Sequence, residues 1–221
     1  METLSPSLRK CALFEGLQAD EISSLLGCIK AVSRRFFKGQ MIISEDDRFS
    51  LIGIVVSGSV RLERIDFFGE RQVIGKAGPS ELFGEVFVFS AVPYKVDVLA
   101  ATDCEILLLH GSDALKVCHK ACEFHNQLVL NMVKIVSDKS LRLNEKALIL
   151  SQRTTRSKIL AFLDTKAKAC LYNEFDIPYD RQELADYLGV ERSAMSAELS
   201  RMKRDGLIDY HKNHFTLLAE R

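Results

Sequence analysis

The sequence predicts an α+β chain in three parts: a β-roll of the double-stranded, jelly-roll kind preceded by short helices, a long helix, and a C-terminal winged helix-turn-helix. Three observations predict it. Between about residues 31 and 109, short runs of Val, Ile and Phe are punctuated by Gly39, Gly58, Gly69, Gly75, Gly78 and Gly84 at turn spacing, the pattern of short antiparallel strands closing into a roll. From residue 112 to residue 150 glycine is absent and helical periodicity takes over. Between Asp180 and Met202 two short apolar helical patterns meet at Gly189, as in two helices joined by a glycine turn. The expected domains are residues 1–111, 112–150 and 151–221.

The elements follow in order. Leu8, Cys11 and Ala12, then Ile22, Leu25 and Leu26 behind Asp20 and Glu21, give two short amphipathic helices. Residues 51–56 and 60–65 are the clearest strands, joined through Ser57-Gly58-Ser59, and residues 66–70 form a second hairpin turn leading to a strand at 71–74. The segment Phe83-Gly84-Glu85 breaks the β rhythm with a short helical turn, and Tyr94-Lys95-Val96 returns nearby. Free N–H groups at such a turn attract anions, so these six residues are the candidate effector pocket. In the long helix, Val129, Met132, Ile135 or Val136, and Leu143 fall at a/d-like spacing. That stripe is longer than a lid on the roll requires, and the excess is expected to bury against a second copy in a parallel helix-pair homodimer. Thr154-Thr155 caps the next helix, whose Ile159, Leu160, Phe162 and Leu163 face inward, and residues 173–178 form a short extended link.

In the helix-turn-helix, Leu184 and Leu188 lie one turn apart, and Met195, Leu199 and Met202 share one face of the second helix. The outer face is left with Arg192, Ser193, Ser196, Ala197, Ser200 and Arg201, short, polar and partly cationic, which suits entry into a major groove. Residues 207–210 and 215–218 flank a polar turn at 211–214 and read as a β-hairpin wing.

Composition limits what else the chain does. Lys plus Arg and Asp plus Glu number 30 each, so a nucleic-acid binder of this balance concentrates its cations locally. Residues 112–158 carry 9 basic against 4 acidic side chains, whereas residues 192–212 carry 5 against 3, a modest footprint. The N-terminal residues form no apolar signal region, and nowhere do about 18 uncharged apolar residues run together, which points to the cytoplasm and away from membranes. Six scattered cysteines (11, 28, 104, 118, 122, 170) favour free thiols in a reducing compartment over a disulfide framework. No nucleophile sits beside a plausible base, and the histidines lack a partnering carboxylate pattern, so no enzyme is expected.

Leu13-Phe14-Glu15-Gly16-Leu17, Phe83-Gly84-Glu85, Thr154-Thr155-Arg156, Arg181-Gln182-Glu183-Leu184-Ala185 through Gly189, and Arg192-Ser193 to Met202 leading into Gly206-Leu207-Ile208 occur in an order that resembles the Crp/Fnr family of bacterial transcription regulators along essentially the whole chain. The resemblance implies a cyclic-nucleotide-binding-like roll as effector sensor, and a homodimer that reads a palindromic promoter site in double-stranded DNA, with RNA polymerase as a further partner. Position by position it puts Arg192, Ser193 and Ser196 against base edges, with Arg192 the best candidate for a bidentate guanine contact. Arg181 and Gln182 hold phosphates, with Ser200, Arg201 and Lys203 as weaker candidates. Two departures stand out. Ala197 replaces the long polar residue of many relatives, and Glu191 takes the usual Ser or Asn cap position, a poor cap whose charge nonetheless suits the helix dipole and whose carboxylate is a candidate acceptor from a cytosine amine. In cyclic-nucleotide-binding members an arginine followed by Ser or Thr neutralises the phosphate. Here Tyr94-Lys95-Val96 stands in that place, without the guanidinium fork or the hydroxyl, so an unidentified small-molecule effector, or none, is expected ahead of a cyclic nucleotide.

Cys118, Cys122 and His125 fall on one helical face. The plain reading is two buried thiols and a satisfied histidine extending the apolar stripe, and the rival is a redox or metal site. An iron–sulfur cluster of the family's oxygen-sensing kind is not expected, because the N-terminal region offers only Cys11 and Cys28. The remaining alternative is a ligand-binding module that no longer binds DNA.

Overall fold

The computed structural model describes residues 4–45, 47, 51–65, 67–69, 71–90, 92–115 and 123–218. The chain divides into two compact units, residues 1–138 and 139–221. The boundary falls inside a single helix, so the segment 112–150 is not a domain of its own: its two ends belong to different units.

The first unit opens with α1 (Pro6–Arg9), a 3-10 turn at Ala12–Phe14 and α2 (Ala19–Cys28). Strands β1 (Val32–Phe36), β2 (Met41–Ile43), β3 (Leu51–Ser57), β4 (Val60–Ile65), β5 (Arg71–Ala77) and β6 (Leu82–Phe83) follow. Next come α3 (Glu85–Ser90), β7 (Asp97–Ala100), β8 (Cys104–His110), α4 (Gly111–Leu115) and the long α5 (Glu123–Leu150). The strands form two antiparallel four-stranded sheets, ordered β1-β8-β3-β6 and β2-β7-β4-β5. β3 and β4 therefore belong to different sheets. The Ser57-Gly58-Ser59 link is a crossover from one sheet to the other, not a hairpin turn. Gly58 has φ +75, and a Cβ there would collide with the backbone of Asp103 and Cys104, so only glycine passes. β4 and β5 do form a hairpin, pairing from Val60↔Ala77 to Ile65↔Arg71.

The near-continuous apolar run of β8 has a simple cause: its sheet is covered on both faces. Ile106 and Leu108, with Val55 and Val98, fill the roll interior. Leu107 and Leu109, with Ile52 and Ile54, face outward under Leu8, Ile22 and Leu25 of the N-terminal helices and Leu128, Met132 and Ile135 of α5. The stripe read from the sequence is corrected here. Met132 and Ile135 lie buried within their own unit, and the large apolar residues that α5 leaves exposed are Leu130, Val133, Leu141, Leu143, Leu148 and Leu150. Buried Asn131 donates to the carbonyls of Leu13 and Glu15 at 2.9 and 2.8 Å, and the Lys134 ammonium reaches Glu15 at 2.8 Å, tying the segment 13–17 to α5.

The second unit contains α6 (Thr155–Cys170), β9 (Glu174–Asp176), α7 (Arg181–Leu188), α8 (Arg192–Arg204), β10 (Ile208–His211) and β11 (His214–Leu217). The expected link at 173–178 is in part a strand, because β9 pairs with β11 and completes a sheet ordered β10-β11-β9. Thr154 caps α6 by accepting from the Ser157 N–H. Phe162, Leu163, Leu184, Leu188, Met195, Leu199, Met202, Ile208 and Phe215 form one core, so three helices and the small sheet share a single apolar centre.

Candidate DNA-reading face and effector turn

The helix-turn-helix is set by local chemistry at three points. Asp180 and Glu183 form a reciprocal capping box on α7, each carboxylate accepting from the other's backbone N–H at 2.8 Å. Gly189 ends α7 in the left-handed conformation (φ 58, ψ 50), where a side chain is disfavoured. The Lys158 ammonium then donates to the carbonyls of Leu188 and Gly189 at 3.1 and 3.3 Å, satisfying acceptors that the helix end leaves open. With Met195, Leu199 and Met202 buried, α8 exposes Arg192, Ser193, Ser196, Ala197, Ser200, Arg201 and Lys203 on its other sides. The second unit also exposes Gln182 and Glu191.

These groups are not equally free. Arg192 makes no hydrogen bond or ion pair with the described residues. Ser193 donates to the Glu191 carboxylate, which also accepts from the Ala194 N–H at 3.3 Å. Glu191 is therefore a working N-cap of α8, contrary to the expectation of a poor one. The Ser193 hydroxyl and the helix N–H groups hold its carboxyl below the usual carboxylate range. Both contacts are to Oε2 of the carboxylate. Ser200 donates to the Ser196 carbonyl at 3.0 Å, and Gln182 to Asp186 at 2.8 Å.

The basic side chains assigned to phosphates are largely structural. Arg181 is half-buried, donates to the Lys212 carbonyl at 2.8 Å, and lies over the rings of Tyr210 and Phe215 at 4.9 and 5.3 Å. It is the anchor of the wing, and burial lowers its pKa. Lys203 pairs with Asp209 and lies over Tyr210 at 5.4 Å, holding α8 to the wing. Arg201 pairs with Glu198 at 3.2 Å, and Glu198 also takes Arg156, whose guanidinium reaches Asp205 at 2.8 Å.

Two residues that the sequence reading left inside a featureless polar turn belong to this face. Lys212, at φ 52, and Asn213 form the tip of the β10–β11 hairpin. Together with Asp180, Arg181, Gln182 and Arg192 they line a shallow recess of about 420 Å³. The β register alone reveals them, by placing the His211↔His214 pair next to the tip.

The residues expected around the second site are mostly buried. Phe83, Glu85, Tyr94 and Val96 are all buried. Tyr94 stacks on Phe87 with ring centres 4.7 Å apart and donates its hydroxyl to the Leu51 carbonyl. Gly84 has φ +88, and any Cβ there would collide with that same hydroxyl. Burial, with the Glu85 and Asp47 charges second, pushes the Tyr94 hydroxyl pKa well up, so it stays a neutral donor. Lys95 alternates outward and is exposed, so it offers no cation to the interior.

Cys118 and Cys122 lie outside the described residues. His125 is buried, with no hydrogen-bond partner for Nδ1 among the described residues. No group of three His, Cys, Asp or Glu among the described residues converges as metal ligands do. Cys11, Cys104 and Cys170 are free thiols.

Two family models match the chain: the cyclic nucleotide-binding domain over residues 33–121 and the Crp-like helix-turn-helix domain over residues 148–221. Among curated proteins it is 29% identical over 184 residues to the transcriptional activator protein FnrL of Cereibacter sphaeroides, covering 79% of this chain and 71% of that one. It is 26% identical over 196 residues to the cyclic AMP receptor protein of Thermus thermophilus, covering 89% and 87%. Among solved structures it superposes on the c-di-GMP responsive global regulator CLP of Xanthomonas campestris with TM-score 0.56 at 20% identity, covering 92% of this chain and all of the other.

Proposed function

The chain belongs to the Crp/Fnr family of transcription regulators, and from that premise we propose that it works in the cytoplasm as a homodimer that sets two α8 helices into successive major grooves of a palindromic promoter site. The observation that carries this reading is the outer face of α8. Arg192 is exposed there without a hydrogen bond or ion pair among the described residues, beside Ser196 and Ala197, while Arg181 and Lys203 are tied to the wing and Arg201 to Glu198. Arg192 is then the main reader of sequence, by a bidentate contact to guanine. The exposed Lys212 and Asn213 at the wing tip, with Gln182, take backbone phosphates. RNA polymerase is the further partner at the promoter, and no described helix is long and apolar enough to cross a membrane.

Dimer formation is supported by the apolar residues that α5 leaves uncovered. Leu130, Val133, Leu141 and Leu148 are 60–66% exposed and, at 100° per residue, fall along one side of the helix. An exposed stripe of this kind is the usual seam between two helices.

The effector in this reading is not a cyclic nucleotide. A Cβ at Gly84 would meet the Tyr94 hydroxyl, and Lys95, which stands where an arginine would meet the cyclic phosphate, is exposed. Any conformational bias between dimer arrangements must come from a ligand with different affinity for each.

The test is selection of a preferred duplex from a random pool, followed by a salt titration of its affinity. The expected result is a palindromic consensus and a steep negative slope of log affinity against log salt, about 0.9 per phosphate contacted. Adding cyclic AMP is expected to change neither the affinity nor the thermal midpoint. A flat salt response, or no enriched sequence, supports the alternative of a module that has lost DNA binding.

A further inference from the structure

The outer face of the sheet β1-β8-β3 is not uniformly apolar. Leu107 and Leu109 of β8 are covered by the N-terminal helices, but two residues along the strand the same face carries Glu105, and β1 presents Ser33 beside it. Ser33 donates to the Glu105 carboxylate at 2.7 Å. Next to them β3 is irregular between Val55 and Ser57, which leaves Val56 half-buried at the edge of the covered area. The result is a recess of about 610 Å³ under α1 and α2, floored by Leu8, Leu26, Val56 and Leu107 and closed at one end by Ser33 and Glu105. Its volume falls within the range of small-molecule sites, as does its mix of apolar wall and few polar groups.

We propose that this recess binds a small organic cation: an amine with a compact apolar body, the body against Leu8, Leu26, Val56 and Leu107 and the ammonium on Glu105. The charge balance selects the class. Glu105 is the only ionisable side chain that lines the recess among the described residues, so the described lining carries a negative charge, which favours a cation over carboxylates and phosphates. Its side chain is 33% exposed and its nearest cation, Arg35, is 3.9 Å away and 88% exposed, a weak surface contact that an ammonium displaces at little cost. The Ser33 hydroxyl holds Oε1, and Oε2, which faces Arg35, is the oxygen that the ammonium would take. The site is separate from the turn at Gly84, which lies on the interior side of the roll, and the proposal stands whether or not the chain binds DNA.

The test uses the full chain and two probes of like shape and opposite charge, 2-phenylethylammonium and 3-phenylpropionate, followed by ligand-observed saturation-transfer NMR and titration calorimetry. Saturable one-site binding of the ammonium is expected, without binding of the carboxylate. Glu105→Gln is expected to weaken the ammonium about tenfold or more, the loss of a charge-assisted hydrogen bond. Ser23→Trp, placed at an exposed position on the rim, is expected to abolish it by filling the recess. Equal binding of both probes, absence of binding, or binding unchanged in either variant overturns the proposal. The charge-reversed pair is measured on the unaltered protein, so the outcome does not depend on either variant folding.

Discussion

Arg192 and Arg181 show how two arginines eleven residues apart on one reading head differ in kind. Arg192 has no partner within the described protein, so Arg192→Ala is expected to leave folding intact. It should cost about 1–3 kcal/mol of specific affinity and relax one base position, read by fluorescence anisotropy against a panel of single-base site variants. Arg181 holds the Lys212 carbonyl and covers two wing aromatics, so Arg181→Ala is expected to lower the thermal midpoint of the second unit, and any loss of affinity should follow from the disturbed wing. His214 supplies a pH prediction. Its Nε2 faces Glu174 at 2.9 Å and its Nδ1 faces Asp176 at 3.0 Å, and both ring nitrogens donate only in the imidazolium. The Glu174 and then the Asp176 hydrogen bonds raise its pKa above 6.5. Because the folded pKa is raised, its contribution to stability is complete below about pH 6.5 and is lost as pH rises through the folded value. The second unit should therefore melt higher at pH 6 than at pH 8, and His214→Gln should flatten that difference in a pH series of thermal scans. The side chains are exposed, so the effect is small. The comparison with the variant, not the raw profile, is decisive.

At the scale of elements, the sequence was most informative where one residue type is obligatory. Gly189 marked the turn because a left-handed helix end favours glycine, and Gly189→Ala is expected to cost about 1 kcal/mol in chemical denaturation. Thr154 marked the start of α6 by its reciprocal bonds with Ser157, and Thr154→Ala should cost about 1 kcal/mol. The strands of the roll and the inward faces of α6, α7 and α8 were likewise legible, since alternation and helical period record which side is dry. Sequence was blind where the partner is distant in the chain. The period of α5 located a helix but not which apolar side meets the sheet, and Met132 and Ile135 went to the unit's own core. Ser57-Gly58-Ser59 has the composition of a hairpin turn and is a crossover, because Asp103 and Cys104, not the strands beside it, decide its path. Tyr94 read as one wall of a pocket, but its hydroxyl partner, the Leu51 carbonyl more than forty residues away, left no local signal. Glu191 is low on general cap preferences, yet it caps because Ser193 and the Ala194 N–H are both in reach.

The whole molecule joins two kinds of surface that its own fold leaves unfinished: an apolar side of α5 and a polar outer side of α8. In the proposed reading a second copy finishes the first, and duplex DNA the second. Charging the α5 seam with the pair Leu141→Asp and Leu148→Asp is expected to yield monomers in sedimentation velocity. The same pair should weaken binding to a palindromic duplex far more than to a single half-site, because only the dimer engages two grooves at once. The most direct measurement of the central claim is the mass of the complex on its selected duplex, by sedimentation or native mass spectrometry, for the unaltered protein and for Arg192→Ala. Two chains per duplex, with Arg192→Ala losing the selected sequence but keeping salt-dependent non-specific binding, is the predicted result; one chain per duplex, or full sequence preference without Arg192, would contradict it.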